Sequence, residues 1–304
     1  MGFFGEGYWF HDYLRPLGLD FHGTTFVAKT TTLLPNAGNM PLDNEWRPIE
    51  RRPKCVIVKP LKGVALNSVG LAGPGAEALF DKGKWQKRIN PFFLSFMSIA
   101  KTADERKREL CEFVKLFASH LEKFRAPFSV GLQINFSCPN VGVEHDEQEL
   151  VDEVLQSLRT AATLGVPLVP KFNVLFSAKS AKKVNDDPNC DGICISNTIP
   201  WGKLPDQIDW EKLFGSSRSP LAHLGGGGLS GKPLFPLLIN WMIDAQREKI
   251  QKPISAGGGI LSLRDARYLL THAGASSVFL GSIAFLRPWR VSRIIRKINA
   301  GELD

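Results

Sequence analysis

Short apolar runs alternate with longer amphipathic segments along most of this chain, and this alternation limits the fold more than any other feature. Runs typical of strands occupy residues 25–28, 92–97, 130–134, 166–172, 192–196, 253–256 and 277–280. The segments between them carry helical apolar stripes, such as the one formed by Leu110, Phe113, Val114, Phe117 and Leu121. Strands that alternate with helices form a parallel sheet, and wholly apolar strands are buried on both faces. The sequence therefore predicts an α/β barrel in one domain, residues 1–304.

The composition argues against several other classes of protein. The chain is 43% hydrophobic and 22% charged, as in ordinary globular proteins, and no apolar run reaches the roughly 18 residues of a membrane span. The five cysteines form no CxxC pair and the six histidines are scattered, so we expect no disulfide or metal site and a cytoplasmic location. The net charge of +8 is spread along the chain without a recognition motif, so nucleic acid is not an expected partner.

Polar residues and glycines follow the predicted strands, where barrel enzymes carry their active sites. Glycine-rich turns at 225–231, 257–259 and 281 could bring backbone N–H groups close to a phosphate. The sequence has no HExxH motif, no GxSxG motif and no carboxylate pair, which argues against metal, serine and glycoside hydrolysis. Asparagine side chains both donate and accept hydrogen bonds, so several of them suit a flat, polar, amide-rich ring. The strand-end residues are Lys29, Lys171, Cys138, Asn67, Asn135, Asn140 and Asn197.

Several motifs in order along the chain resemble one enzyme family. The run NFSCPN at 135–140 looks like the active-loop signature of dihydroorotate dehydrogenases. AKTTT at 28–32, GNMP at 38–41 and LNSVGL at 66–71 resemble the family's lysine and asparagine segments. NT at 197–198, GLSG at 228–231, GGG at 257–259 and GS at 281–282 follow in the family's order. The resemblance covers about residues 20–290 and implies an FMN-containing (β/α)8 TIM barrel that oxidises dihydroorotate to orotate in pyrimidine synthesis.

The resemblance also implies residue roles. Cys138 would remove the C5 proton of dihydroorotate, the C6 hydride would pass to FMN, and Lys29 would lie near both. Lys171 would stabilise negative charge on the reduced flavin. The implied substrate-binding residues are Lys29, Asn67, Gly70, Leu71, Asn135, Asn140, Asn197 and Thr198. The implied cofactor-binding residues are Lys29, Thr30, Asn135, Lys171, Ile195, Gly231, Gly258, Gly259, Gly281 and Ser282.

The chain departs from the family pattern at its start and in its subclass. The family's first strand, which ends in an Ala-Ser-Gly turn, is not found, so we expect seven barrel strands, an open seam and a missing N-terminal segment. Cysteine at 138 resembles the soluble class, whereas GLSG at 228–231 resembles the quinone-using class. The electron acceptor therefore stays open between fumarate, NAD through a partner subunit, and quinone. A homodimer is common in this family.

Two alternative functions stay open. Dihydropyrimidine dehydrogenase has a related domain that shares the Asn-x-Ser-Cys-Pro core, so the chain could reduce another pyrimidine such as uracil. Asn140 after Pro139 favours dihydroorotate over that substrate. The other alternative is a non-catalytic barrel fragment that lost turnover together with its first strand.

Overall fold

The computed structural model describes residues 2–126, 129–136 and 146–302. Its main sheet has seven parallel strands in the order β1-β4-β5-β6-β7-β10-β11. Six of these strands lie within a run that the sequence predicts, and β5 extends one residue past its run to Asn135, so the α/β alternation is confirmed. Within the described residues β1 and β11 each pair with one neighbour and not with each other. The main-sheet strands are β1 (Phe26–Val27), β4 (Phe92–Phe96), β5 (Val130–Asn135), β6 (Leu168–Phe172), β7 (Ile193–Ile195), β10 (Ile254–Ala256) and β11 (Ser277–Val278).

A second, antiparallel sheet has the order β2-β3-β9-β8 and was not predicted. Its strands are β2 (Val56–Lys59), β3 (Val64–Asn67), β8 (Ile199–Pro200) and β9 (Gly228–Gly231). The prediction of a turn throughout 225–231 is therefore wrong for 228–231, which pairs with β3 from Asn67↔Gly228 to Val64↔Gly231. Leu66 of β3 and Leu229 of β9 belong to one buried apolar cluster with Phe214, and this cluster stabilises the pairing of the two strands.

The helices follow the strands and bury the apolar stripes that the sequence predicts. On the third helix Phe113 and Phe117 are fully buried, and the Phe113 ring stacks on Phe96 of β4 with centroids 4.0 Å apart. Thr102 begins that helix with a capping box to Glu105. The helices are α1 (Trp9–Leu14), α2 (Ala76–Asp81), α3 (Ala103–Leu121), α4 (Glu147–Ala161), α5 (Ala178–Asn185), α6 (Trp210–Phe214), α7 (Leu234–Arg247), α8 (Leu263–Thr271), α9 (Ile283–Leu286) and α10 (Val291–Asn299).

A buried ion pair joins α3 to α4. The Arg106 guanidinium donates from Nε and Nη2 to the two Glu153 carboxylate oxygens, both at 2.7 Å, and Arg106 is only 6% exposed. Its Nη1 also donates to the carbonyls of Ala100 and Lys101, which fixes the loop between β4 and α3. The Glu153 carboxylate raises the pKa of Arg106 above its ordinary value, so the guanidinium stays charged.

We expect Glu153→Ala to lower the free energy of unfolding by about 3–5 kcal/mol, because it leaves a buried guanidinium without its carboxylate. The exposed pair Arg247–Asp244 is the control, and Asp244→Ala should change stability by less than about 1 kcal/mol. Denaturant unfolding of both variants measures the difference. Equal effects of the two substitutions would show that the buried pair does not stabilise the packing of α3 on α4.

Candidate active site

Three strand ends of the main sheet bring two asparagines and a lysine together. Asn135 ends β5 and lies opposite Lys171 of β6 in the parallel register. Asn197 follows β7, and its Nδ2 donates to Asn135 Oδ1 at 3.1 Å. The Asn197 backbone is fixed in turn, since its N–H donates to Phe172 O at 2.7 Å and its Oδ1 accepts from Thr198 N at 2.9 Å. Asn135 is only 5% exposed and Asn197 is half-buried, so the pair is partly shielded from solvent.

Lys29 and Thr30 follow β1 at the same end of the sheet. The Lys29 N–H donates to Gly2 O at 2.9 Å, and its Nζ donates to the Ala72 carbonyl and lies 4.3 Å from the Phe3 ring centroid. Thr30 Oγ1 and Ser95 Oγ are 2.8 Å apart and share a hydrogen bond. Sequence reasoning gave no role to Phe3, whose ring is fully buried beside the lysine.

Asn67 ends β3, and the 68–73 loop that follows it holds Gly70 and Leu71. Asn67 Nδ2 donates to Gly228 O across the β3–β9 ladder at 3.4 Å. Leu71 has a φ of +57°, a left-handed conformation that is uncommon for leucine. The N–H groups of Gly70 and Leu71 have no acceptor among the residues that the structure describes. These two donors are therefore available to a bound molecule.

The turns after β10 and β11 present a second set of backbone donors. Within the described part of the chain, the N–H groups of Gly258, Gly259, Gly281 and Ser282 have no protein acceptor. Gly259 is buried, so its N–H requires an acceptor from a bound ligand or water. An added Cβ at Gly281 would meet nothing within 4 Å, which leaves open space beside this turn. We call these four residues the phosphate turns, because such N–H sets bind phosphate.

Gly231 ends β9 where the second sheet meets the phosphate turns. Its φ is +104°, and an added Cβ would lie 2.2 Å from Gly63 O. An added Cβ at Gly259 would lie 2.7 Å from Gly231 O. Close approach of backbone segments explains why glycine stands at both positions.

Lys171 lies on β6 and Ile195 on β7, the two strands between β5 and β10 in the main sheet. Lys171 is half-buried, with its Nζ 5.5 Å from the Phe279 ring centroid, and Ile195 is fully buried at the end of β7. Cys138 and Asn140 fall outside the described residues, so their roles stay predictions.

Two other cysteines, Cys190 and Cys194, are buried, and their burial disfavours the reactive thiolate form. Burial raises the pKa of the Cys194 thiol, on β7 beside Lys171, to about 11, and that of Cys190 also to about 11. Their thiolates are disfavoured in the folded chain at neutral pH. Neither cysteine therefore competes with Cys138 as a candidate base.

These raised pKa values predict a loss of stability at alkaline pH. The folded chain holds these thiol protons more tightly than an unfolded thiol of pKa about 8.5, so the stabilisation is complete below that pH. It is lost as pH rises through the folded pKa of about 11. We expect the free energy of unfolding to fall between about pH 9 and 11 in both proteins, and less steeply in Cys194→Ala than in wild type. The difference between the two slopes should reach up to about 1.4 kcal/mol per pH unit. Denaturant unfolding at each pH measures the slopes, and equal slopes would contradict the prediction.

The described residues contain neither a metal-binding cluster nor a membrane-spanning helix. No cluster of three or more His, Cys, Asp or Glu side chains there could hold a metal ion. None of the helices described is both long and apolar enough to cross a membrane.

The fold and the strand-end residues define a parallel α/β barrel protein with a polar site at the carboxyl ends of its strands. A family model for dihydroorotate dehydrogenase matches residues 2–301. The chain belongs to the dihydroorotate dehydrogenase family.

Individual relatives agree with this assignment. The chain is 27% identical to the dihydroorotate dehydrogenase B (NAD(+)) catalytic subunit of Cutibacterium acnes, over 98% of this chain and 86% of the relative. It is 30% identical to dihydroorotate dehydrogenase A (fumarate) of Lactobacillus delbrueckii subsp. bulgaricus, over 85% of this chain and 75% of the relative. The crystal structure of ligand-free DHODH from Eimeria tenella superposes with a TM-score of 0.64 at 18% identity, covering 91% of this chain and 78% of that one. This last likeness supports the barrel fold.

Proposed function

We propose that this chain oxidises dihydroorotate to orotate in pyrimidine biosynthesis, as an FMN-dependent oxidoreductase. The observation that carries the proposal is the Asn197–Asn135 amide pair next to Lys171, in a member of this family. The two amides offer the complementary donors and acceptors that a pyrimidine ring requires. A ring that leaves one of these amides without a hydrogen bond would lose about 1–3 kcal/mol of binding free energy for each unpaired group. The site would therefore reject rings with a different pattern of donors and acceptors.

The donor set of this chain fits FMN. Gly258, Gly259, Gly281 and Ser282 supply N–H groups that have no acceptor among the described residues and that suit its phosphate. The ring system of FMN would be held by Thr30, Asn135, Lys171 and Ile195. Gly231, which has no side chain, would let the backbone come close to FMN. When bound, FMN supplies the two-electron acceptor for the reaction.

The protein residues would bind the substrate and move its proton. Asn67, Asn135, Asn140, Asn197 and Thr198 would hydrogen-bond the ring, and the N–H groups of Gly70 and Leu71 would contact its acidic part. Cys138 would take the C5 proton, acting as a thiolate or passing the proton onward. Lys29 would place positive charge beside the substrate carboxylate.

The finer assignments rest on the relatives and on the cysteines. The relatives named above include an NAD(+) catalytic subunit and a fumarate enzyme, which supports either acceptor for this chain, with a partner subunit in the first case. Cys55, Cys111, Cys190 and Cys194 are free thiols, which supports a cytoplasmic location. A single domain and a homodimer remain part of the proposal.

The test is the visible spectrum of the purified protein, recorded without oxygen before and after dihydroorotate is added. Bleaching of a bound flavin is the expected result. Bleaching by NADPH with reoxidation by uracil, and no response to dihydroorotate, would favour the other pyrimidine reductase. A colourless protein that does not take up FMN would favour the non-catalytic fragment.

A further inference from the structure

The 36–39 loop packs directly on the 68–73 loop. Asn36 and Gly73 exchange two backbone hydrogen bonds, at 2.9 and 2.8 Å. Asn36 Nδ2 then donates to Gly70 O at 2.7 Å and lies 3.4 Å from Leu71 O. An added Cβ at Gly38 would lie 2.5 Å from Val69 O, so the two loops are in close backbone contact.

These bonds fix the direction of the Gly70 and Leu71 N–H groups. In a planar trans peptide the N–H points opposite to the C=O. Gly70 O accepts from Asn36 Nδ2, so the Leu71 N–H of the same peptide points away from the 36–39 loop. Val69 O accepts from the Asn39 N–H at 2.9 Å, so the Gly70 N–H points away in the same manner.

The turn that results does not form readily without support. Gly70 and Leu71 both have positive φ, at +67° and +57°. Glycine adopts this conformation freely, but leucine is strained there, and a strained residue persists only where its surroundings hold it. The Asn36 side chain contacts the carbonyl before Leu71, that of Gly70, and the carbonyl of Leu71 itself.

We propose that Asn36 is a positioning residue for substrate binding, which holds Leu71 in its left-handed conformation and thereby aims the Gly70 and Leu71 N–H groups at an anionic group of the substrate. This rests on the proposed function for the identity of the substrate. Asn36 acts through the peptide planes and does not itself need to contact the bound molecule.

The test compares Asn36→Ala, Leu71→Gly and the double variant in flavin-loaded protein, with orotate binding followed by the flavin spectrum. We expect Asn36→Ala to weaken orotate binding and raise KM for dihydroorotate by about tenfold, the equivalent of one lost hydrogen bond to a charged group. We expect kcat and flavin content to change less than twofold. Because glycine needs no support at positive φ, Asn36→Ala should cost several-fold less affinity in the Leu71→Gly background.

Two control variants separate this role from general destabilisation. Leu204 is also a half-buried leucine at positive φ, +54°. Leu204→Gly therefore relieves the same kind of backbone strain at another place in the chain, and it should not restore the orotate affinity that Asn36→Ala loses. Asn299 Nδ2 donates to Gly23 O at 2.8 Å on the surface, so Asn299→Ala should leave orotate affinity unchanged.

Unchanged orotate affinity in Asn36→Ala would overturn the proposal. So would an affinity loss that follows flavin loss and is not relieved by Leu71→Gly. Failure of the proposed function is distinct, because wild type itself would then bind no orotate. In that case amide hydrogen exchange at residues 68–73 still tests whether Asn36 holds this loop. If exchange there is the same in Asn36→Ala as in wild type, the positioning role is overturned.

Discussion

Cys138→Ala should reduce turnover of dihydroorotate by about 10²–10⁴-fold, the usual contribution of a general base, while bound flavin is retained. The substitution removes the group proposed to take the C5 proton and leaves intact the N–H donors that are proposed to bind FMN. Stopped-flow reduction of the flavin by dihydroorotate measures the step directly. Turnover equal to wild type would refute Cys138 as the base.

Two further cysteine variants test the same role. Cys138→Ser should retain some activity that grows at higher pH, because a hydroxyl is a much weaker acid than a thiol; wild-type activity at neutral pH would count against the assignment. Cys111→Ala is the matched control, since Cys111 is a half-buried free thiol on α3 away from the strand ends. Its turnover should stay within about twofold of wild type, as expected for a substitution outside the site.

Gly231→Ala should prevent the chain from folding stably. The new Cβ would lie 2.2 Å from Gly63 O and 2.9 Å from Val64 Cα, and these backbone atoms cannot move without breaking the β3–β9 ladder. The φ of +104° adds strain. Together we expect a loss of more than about 3 kcal/mol. Thermal unfolding and the yield of soluble protein measure the effect.

Two other glycines separate the causes of that loss. Gly215 has a φ of +82° and open space around its Cβ position, so Gly215→Ala reports backbone strain alone, about 1–2 kcal/mol. Gly281 has open space and no unusual φ, so Gly281→Ala should fold normally and lose FMN affinity if this turn binds the phosphate. Equal stability of Gly231→Ala and Gly215→Ala would show that the ladder accommodates the methyl group.

The main sheet was predictable because its strands lie on short apolar runs, most of them separated from the next by an amphipathic helix. In the second sheet β2 (VIVK) and β3 (VALN) are short apolar runs that were overlooked. β8 and β9 were not predictable, since β9 is the sequence GLSG and β8 covers only Ile199–Pro200. Glycine-rich and very short segments carry no periodicity, and their pairing depends on partners far along the chain. Local pattern therefore identified Gly228–Gly231 as part of a turn.

The same distinction applies to the site. Asn135, Lys171 and Asn197 were identifiable because they stand at or next to strand ends, and the structure brings them together. Asn36 and Phe3 were missed, since each matters through contacts with a distant loop or side chain. The NAGN sequence at 36–39 signals a turn, but nothing in it states which carbonyls the Asn36 amide meets.

The β3–β9 ladder has a consequence for how the two ligands are held. One end of its four-residue register, Asn67↔Gly228, carries a proposed substrate contact, and the other, Val64↔Gly231, carries a proposed cofactor contact. Both regions are thus set at a constant separation by paired backbone before either molecule arrives. The entropy lost in ordering them is lost once, when the chain folds, and binding in each catalytic cycle need not lose it again.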